Sequence, residues 1–498
     1  MKSLISPRDM REGEARYFAS SNVPSIEVME RAARALAEVI SSELPAGSTI
    51  HFACGTGGNG GDGTACARLL RPSYNCIIIQ PHPPKSPDAI ENLRRARECG
   101  VAIVENAAQL SHASAWVDAL FGTGLTRAPD GAEAELIRAM NTAHRYGARV
   151  YAADIPSGLN AETGRAYDPC VHADVSVSFQ YIKTGMTLGD GLDVCGRLID
   201  ADVGFPSAYF RCTAARFDPD YFRFLNLKRP RNIHKGDCGH LLIVAGSFGM
   251  AGAAAMCAKA ALRSGAGLVS IACVRSIVPI LQTLVPQAMC IPLEESNGAI
   301  AAAALPDLKA ALMGRNAVAI GPGLSRRADP GVLRTVLDAR LPTVIDADAL
   351  NILSEHRELL QLLHWNHVLT PHPGEAARLL GHPCTNPIAD AAELYELGGR
   401  VLLKGAASVI RVPMTPTAII SASGCQGMAR GGSGDILTGI LATLLMQDGY
   451  NNMWEPLALA SELHGLAGER AQEKYGAHAM NAADILEFLP EVFKAYVD

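Results

Sequence analysis

The chain has 498 residues, of which 48% are hydrophobic and 19% are charged. Because single hydrophobic cores stop growing near ~250–300 residues, this length predicts two folded domains, and the composition is too apolar for a disordered chain. A formal net charge of −6, without a local Lys/Arg-rich stripe, excludes the electrostatic footprint of a nucleic acid partner.

Location and redox state follow from three features of the sequence. Residues 1–16 lack the apolar core of a signal peptide. The longest apolar stretches, such as 436–446, fall far short of the ~20 residues that cross a bilayer, so we expect no membrane partner. Thirteen cysteines are scattered without CxxC pairs, which favours free thiols over disulfides or a zinc site. We therefore expect a protein of the reducing cytoplasm.

The first half alternates apolar runs with helical stretches, after an amphipathic helix predicted over residues 25–44. Strands are predicted at 49–54, 76–80, 101–104, 116–121, 150–155 and 175–179. This alternation indicates an α/β domain with a parallel sheet and crossover helices, of the Rossmann-like, doubly wound kind.

A glycine-rich turn over residues 55–63 follows the first of these strands and precedes a helix predicted over 64–70. Glycines let the backbone turn tightly and present N–H groups to an anion, so we expect a phosphate-bearing ligand there. A tight strand-to-helix turn without a ligand is the alternative. The next strand ends at Gln80 instead of an acid, which disfavours a hydride-transfer domain.

Two further strand ends carry carboxylates, Asp118 in the sequence DALFGTG and Asp154 in DIPSG. Ligands of open α/β sheets bind at the carboxyl ends of the strands, so both should converge on the glycine-rich turn. Together with Asn59 and Ser157, their oxygens suit a hard cation. A turn or cap role is the alternative for Asp154.

These motifs and the later run ADVSVSF, followed by Lys183, resemble the NAD(P)H-hydrate epimerase domain over residues 1–215. The resemblance implies interconversion of the R and S epimers of hydrated NADH and NADPH (NADHX and NADPHX), with K⁺ held by Asn59, Asp118 and Ser157. Asp154 is the expected proton-transfer group. Lys183 is the second candidate for that role, and the favoured alternative for it is a solvated or phosphate-facing lysine. The implied substrate contacts are Gly58, Asn59, Gly60, Gly61, Asp62, Gly122, Thr123, Gly124, Leu125, Thr126, Arg127, Ala128 and Asp154.

The alternation fails between residues 211 and 237, where we predict the domain boundary, and then resumes. Strands are predicted at 241–245, 268–273, 317–320, 343–345, 367–369, 401–403, 409–412 and 418–421, which indicates a second α/β domain. Its glycine-rich run 424–435 precedes a helix predicted over 436–446 and forms an anion hole, in which Asp435 can take a proton from a substrate hydroxyl. Helix capping by Asp435 is the alternative. Walker A is absent, so this is not a P-loop protein.

The motifs HKGDCGH, GSFGMAGA, GPGL, DADALN, TPHPGE, LLKGA and GGSGD resemble ADP- or ATP-dependent NAD(P)H-hydrate dehydratases of the ribokinase-like superfamily, over residues 225–498. The resemblance implies dehydration of the S epimer, with AMP and phosphate released from ADP and with Mg²⁺ bridging the phosphates. Asp435 is the expected base. The implied nucleotide contacts are Lys404, Gly405, Ala406, Ala407, Ser408 and Gly434, and the implied hydrate contacts are Ala253, Gly323, His372 and Asp435. His364 and His367 are predicted to be surface or satisfied core histidines.

Because both resemblances occur in one chain, the whole chain resembles the bifunctional NAD(P)H-hydrate repair enzymes. We also expect the protein to be a homo-oligomer. Two other functions stay open at this point. The second half also fits a small-molecule kinase, because fold does not fix function. The first half also fits a nucleotide-binding or protein-interaction module without catalysis.

Overall fold

The structure is a computed structural model that describes all residues except 108, 109, 111, 226, 416, 448 and 498. The chain divides into two compact units, Ser3–Ala214 and Ala215–Asp498, and the second unit also takes in Met1–Lys2. The division lies inside the segment 211–237, and the second unit begins before residue 225.

The first unit is an α/β unit with a seven-stranded parallel sheet in the order β4-β3-β2-β5-β6-β7-β9. A separate parallel pair joins β1 to β8. The strands are β1 (Lys2–Ile5), β2 (Thr49–Cys54), β3 (Asn75–Ile79), β4 (Ala102–Val104), β5 (Ala115–Ala119), β6 (Arg149–Ala153), β7 (Val175–Phe179), β8 (Ile182–Lys183) and β9 (Arg197–Ala201). The helices are α1 (Pro7–Ser20), α2 (Ser25–Glu43), α3 (Gly58–Leu70), α4 (Pro87–Glu98), α5 (Gly131–Arg145) and α6 (Gly191–Val194).

The strand order of this sheet reverses between β2 and β5. The central strands are buried on both faces, as Phe52 and Val117 illustrate, and this is why they read as continuous apolar runs. The loops that follow β2 and β5 therefore lie side by side at the topological switch point, where open α/β sheets bind ligands. The predicted Rossmann-like, doubly wound architecture is confirmed.

The second unit has a larger, mostly parallel sheet in the order β13-β12-β11-β16-β17-β18-β19-β20-β21, in which β20 runs antiparallel to both β19 and β21. Its strands are β10 (Ala214–Arg216), β11 (His240–Val244), β12 (Leu268–Val274), β13 (Met289–Leu293), β14 (Glu295–Ser296), β15 (Ala299–Ile300), β16 (Ala317–Ile320), β17 (Thr343–Ile345), β18 (His367–Leu369), β19 (Arg400–Leu403), β20 (Ser408–Arg411) and β21 (Ala418–Ser421). Its helices are α7 (Ala251–Arg263), α8 (Val278–Leu284), α9 (Leu305–Leu312), α10 (Pro330–Asp338), α11 (Ala347–Glu355), α12 (Pro373–Leu380), α13 (Pro387–Tyr395), α14 (Ser433–Leu444), α15 (Glu455–Tyr475) and α16 (Ala482–Tyr496).

The residues just after the division belong to the core of this second unit. The backbone N–H of Phe217 donates to the carbonyl of Ile420, at 2.7 Å. The Phe217 ring also stacks near Trp454, and Tyr221 donates to the buried carboxylate of Glu455 at 2.6 Å. Any fragment of this unit that starts at residue 225 would therefore lose part of its own core.

No helix in the described ranges is long and apolar enough to cross a membrane.

Candidate active sites

The glycine-rich turn of the first unit is shorter than the sequence suggests, because α3 already begins at Gly58 and not at residue 64. The glycines inside the helix are there for close packing. A Cβ on Gly60 would lie 2.0 Å from the carbonyl oxygen of Gly55, and one on Gly63 would lie 2.4 Å from the Cβ of Ala119. Gly58 has open space on its side-chain face. The first-turn N–H groups therefore face a free volume at a helix N-terminus, which suits an anion.

Asn59, Asp118 and Ser157 come together around the carbonyl of Phe121. Asn59 Nδ2 donates to that carbonyl at 2.9 Å, and the Phe121 N–H donates to Ser157 Oγ at 2.9 Å. Ser157 in turn donates its hydroxyl and its backbone N–H to the two oxygens of Asp118, both at 2.6 Å. The three predicted cation ligands thus form one connected cluster after β2, β5 and β6.

This cluster has the donor set that a hard cation requires. Asp118 is fully buried, and burial raises the pKa of its carboxyl to about 6 although the hydrogen bonds from Ser157 oppose the rise. Asn59 Oδ1 is buried without a hydrogen-bond partner in the part of the chain that the structure describes. A coordinated cation would offset the cost of burying the Asp118 charge and would give Asn59 Oδ1 a partner. The residues therefore fit a bound K⁺.

Asp154 and Lys183 form a buried ion pair at the same edge of the sheet. Asp154 has a left-handed backbone with φ of 66°, and its Oδ1 accepts from the Phe179 N–H at 3.1 Å and from Lys183 Nζ. Lys183 is 1% exposed and also donates to Ser178 Oγ at 3.1 Å. The expectation of a solvated Lys183 is therefore wrong, because its side chain is buried against Asp154. The pair combines a proton acceptor with a proton donor.

Two further carboxyl groups surround this ion pair. Burial and the negative charge of Asp154 raise the pKa of Asp62 well above its ordinary range and also raise the pKa of Glu14, while the Lys183 ammonium opposes both effects. Asp62 lies on the first turns of α3 and Glu14 on α1. The sequence analysis assigned no role to Glu14.

The loop over residues 122–128 is largely exposed and borders the cation cluster. A Cβ on Gly122 would lie 3.6 Å from the Asn59 Cβ, and Tyr167 donates its hydroxyl to the Thr126 carbonyl at 3.0 Å. A separate open cleft of about 570 Å³ is lined by residues from α5 and the segment 166–172, including Arg138, Arg145 and His172. None of the predicted site residues lines that cleft, so it does not locate the active site.

In the second unit, α14 begins at Ser433 and not at residue 436, so Ser433, Gly434 and Asp435 are its first three residues. The N-cap is Gly432, with φ of 97°, and the helix has no side-chain cap. No hydrogen bond therefore supports the alternative hypothesis that Asp435 caps the helix. The N–H groups at this helix start and the positive end of the helix dipole suit the anion that the sequence predicts here.

A lysine and a second aspartate complete this site. Lys404 Nζ lies 2.5 Å from Asp346 Oδ1, and Thr438 donates to Asp346 Oδ2 at 2.7 Å. A Cβ on Gly434 would lie 3.3 Å from Lys404 Nζ, so the ammonium group sits at the N-terminus of α14. The DADALN motif contains Asp346, but the sequence analysis gave this residue no role.

Asp435 lies in a strongly acidic environment. Burial raises the pKa of its carboxyl to about 7, the charge of Asp346 adds to the rise, and the Lys404 ammonium opposes it. Glu375 and Asp348 add further negative charge. Among the described residues no three His, Cys, Asp or Glu side chains are grouped tightly enough to hold a metal. This excess of carboxylates nevertheless suits Mg²⁺ that is held mainly by phosphate oxygens.

The predicted hydrate contacts converge only in part. A Cβ on Gly323 would lie 3.0 Å from the Ala253 Cβ, so these two residues are in contact. His372 is the N-cap of α12, where its Nδ1 accepts from the Gly374 N–H at 3.0 Å, and its side chain is 52% exposed. His372 therefore has a structural role, while its outer edge is open to a ligand.

Of the two histidines that were predicted to lie outside the site, His364 is half-buried and His367 lies in the core. His367 is fully buried, and its Nδ1 accepts from the His364 N–H at 3.1 Å. Its Nε2 has no partner among the described residues, and burial lowers its pKa to about 4. It is a neutral core histidine, but only half of its hydrogen-bonding capacity is satisfied.

Fold and sites together define a two-site α/β enzyme that acts on phosphate-bearing nucleotides. The NAD(P)H-hydrate dehydratase family matches residues 241–491, and the family described as YjeF-related protein N-terminus matches residues 25–185. The second unit resembles a crystal structure of a ribokinase-like superfamily protein from Enterococcus faecalis V583, with a TM-score of 0.50 and 26% identity over 56% of this chain and 95% of that one.

Similarity to known enzymes extends over nearly the whole chain. It is 38% identical to a bifunctional NAD(P)H-hydrate repair enzyme of Moorella thermoacetica, covering 99% of this chain and 96% of the relative. It is 34% identical to the Escherichia coli enzyme of the same description, covering 97% of this chain and 92% of the relative. The chain belongs to the family of bifunctional NAD(P)H-hydrate repair enzymes. It epimerises the hydrates of NADH and NADPH and dehydrates them with ADP or ATP.

Proposed function

We propose that the two reactions divide between the two units, with epimerisation in Ser3–Ala214 and dehydration in Ala215–Asp498. The family matches at residues 25–185 and 241–491 support this division. One observation carries the dehydratase assignment. Asp435, with its pKa near 7, lies in the first turn of α14 beside the Lys404 ammonium.

Dehydration needs a better leaving group than hydroxide. Asp435 removes the proton from the C6 hydroxyl of the S hydrate, and the freed oxygen attacks the terminal phosphorus of ADP, which releases AMP. The ring nitrogen then pushes its lone pair towards C6, and the C6–O bond breaks with loss of phosphate. The resulting iminium loses a proton from C5, which restores the double bond of NAD(P)H. With ATP as the donor the same steps release ADP.

The nucleotide is held by residues 404–408 and by Gly434, and the hydrate by Ala253, Gly323 and His372. Lys404 neutralises charge on the transferred phosphoryl group, which is the usual role of a cation in such a transition state. Mg²⁺ supplies further charge neutralisation when it is bound to the phosphates.

Epimerisation inverts C6 of the same ring. The ion pair of Asp154 and Lys183 provides a donor for the departing hydroxyl, which leaves as water, and an acceptor for the water that returns to the opposite ring face. The first turn of α3 at residues 58–62 and the loop over residues 122–128 hold the dinucleotide phosphates and ribose. K⁺, coordinated by Asn59, Asp118 and Ser157, would fix the geometry of these loops.

Two full-length variants test this division of labour. Purified protein is incubated with mixed R and S hydrates and ADP while the dihydronicotinamide absorbance and the liberated phosphate are followed. Asp154→Asn should dehydrate the S epimer and leave the R epimer at its slow spontaneous rate of interconversion, whereas Asp435→Asn should interconvert the epimers without restoring absorbance. Asp200→Asn, at an exposed position on β9, is the matched control.

The same assay separates the kinase alternative. A small-molecule kinase would consume ADP or ATP and leave a stable phosphorylated product without any gain of absorbance. Loss of both activities in either variant, with native folding, would contradict the division between the units.

We also propose that the protein works in the cytoplasm as a homo-oligomer. All thirteen cysteines are free thiols, which a reducing compartment maintains. Ile280 and Leu284 are 50% and 40% exposed at i and i+4 of α8, which offers an apolar stripe for self-association. Light scattering of the wild type and of Ile280→Glu tests this, and a monomeric wild type would refute the oligomer.

A further inference from the structure

A buried hydrogen bond joins the first turn of α14 to the middle of α15. Ser433 Oγ and His464 Nε2 are 3.2 Å apart, and the two residues are each 8% exposed. His464 lies in α15, the helix that packs against α14. The contact therefore lies at the N-terminal turn of α14, next to Gly434, where a Cβ would lie 3.3 Å from Lys404 Nζ.

Helix capping does not account for this contact. Gly432 is the N-cap, so Ser433 is already inside the helix and its hydroxyl does not serve as the cap acceptor. The hydroxyl can donate only one proton. If it donated to the imidazole it would have none for a ligand, whereas an Nε2–H that donates to the Ser433 oxygen leaves the hydroxyl proton available.

His464 stays neutral in this position. Burial lowers its pKa to about 4, and the Lys404 ammonium adds to the effect. It therefore adds no charge to the site at neutral pH, and its contribution is directional. A neutral imidazole with one N–H can fix the rotamer of a serine hydroxyl without competing with Lys404 for phosphate.

We propose that Ser433 donates its hydroxyl proton to the transferred phosphoryl group, and that His464 is a positioning residue that orients this hydroxyl from α15. The proposal rests on the assignment of the α14 N-terminus as the phosphoryl-transfer site. It predicts that Ser433 and His464 contribute to binding of the terminal phosphate of ADP. The AMP portion is held by the turn at residues 404–408, so AMP binding should not depend on them.

The test compares equilibrium binding of ADP and of AMP to the full-length protein. Because hydrogen bonds to charged groups are the stronger kind, Ser433→Ala should weaken ADP binding about tenfold or more and leave AMP binding unchanged. His464→Ala should reproduce that selective loss. The double variant should be no worse than Ser433→Ala, since His464 acts only through Ser433. His464→Gln keeps an N–H near the Nε2 position and should recover part of the affinity.

A matched control comes from the same helix. Ser461 accepts a hydrogen bond from Ser421 at 2.9 Å and is buried one turn before His464, so Ser461→Ala removes a comparable bond that does not reach α14. It should bind ADP and AMP like the wild type. Equal weakening of ADP and AMP in the His464 and Ser433 variants would reveal general damage and overturn the proposal, as would additive losses in the double variant.

Asp435→Asn separates this proposal from the assignment on which it rests. If Asp435→Asn stops turnover while Ser433→Ala and His464→Ala both bind ADP normally, the site is right and the pair has no role in it. If Asp435→Asn turns over normally, the site itself is misassigned.

Discussion

Asp435→Asn is the substitution that best separates catalysis from structure in the second unit. The change is nearly isosteric, so the first turn of α14 and its anion hole should persist. A positioned general base typically contributes ~10²–10⁴-fold to a rate, so dehydration should fall by that factor. ADP binding should survive or tighten, because a negative charge beside the phosphates is removed.

The same variant should make the protein more stable. Burial beside Asp346 raises the pKa of Asp435 from its ordinary 3.8 to about 7, so the fold disfavours the ionised carboxylate. That difference corresponds to about 4 kcal/mol as an upper bound. Because the pKa of the folded state lies above that of the unfolded chain, the penalty is complete above pH 7 and vanishes below about pH 4. An asparagine at this position carries no charge, so the variant does not have this penalty.

The assay is urea unfolding of wild type and variant at pH 8 and at pH 4.5, without nucleotide, with ADP affinity and dehydration rate measured on the same samples. The variant should gain a few kcal/mol at pH 8 and much less at pH 4.5, while turnover collapses. A role limited to capping predicts near-normal turnover and a loss of up to ~1 kcal/mol. Near-normal turnover of Asp435→Asn would refute the reasoning. So would a stability difference between variant and wild type that is the same at pH 8 and pH 4.5.

Three further perturbations test other parts of the structure. Asp346→Asn removes the charge that contributes most to the raised pKa of Asp435, so the midpoint of kcat/KM against pH should move below 7 in a pH titration, whereas an unchanged midpoint would mean that burial alone sets it. Asp118→Asn should abolish K⁺ dependence and epimerisation while dehydration of the pure S epimer continues, and loss of both activities in a folded variant would contradict separate sites. Gly60→Ala should destabilise the first unit by several kcal/mol, because its Cβ would meet the Gly55 carbonyl at 2.0 Å, and an unchanged melting temperature would contradict that close approach.

The sequence predicted the central strands of both sheets well, because a parallel strand that is covered on both faces must be continuously apolar. The elements it missed are short or lie away from the central strands, such as β8 with two residues and the pair of β14 and β15. Two residues cannot establish a periodic pattern. The loops that carry the sites were found from their glycines and acids.

Both helix starts were placed too late for one physical reason. Glycine and serine disfavour a helix interior in isolation, so the runs at 58–63 and 433–435 looked like loops. In the fold these glycines are required inside the helix, because neighbouring atoms leave no room for a Cβ at Gly60 or Gly63. Local propensity is a weak predictor wherever a backbone must pass another backbone at contact distance.

Side-chain partners were the hardest feature to infer, and they determine how each site works. Each unit pairs an aspartate at the end of one strand with a lysine from another part of the chain, Asp154 with Lys183 and Asp346 with Lys404. In the first unit the aspartate expected to move the proton is itself in the ion pair, so donor and acceptor are adjacent, as a reversible epimerisation requires. In the second unit Lys404 pairs with Asp346, and its ammonium only partly offsets the burial and the negative charge that act on Asp435. Burial, and after it the charge of Asp346, raise the pKa of Asp435 to about 7, which makes it a stronger base for a hydroxyl proton than an ordinary aspartate. The lysine thus pairs with the proposed proton-transfer carboxylate in the first unit and with the neighbour of the proposed base in the second.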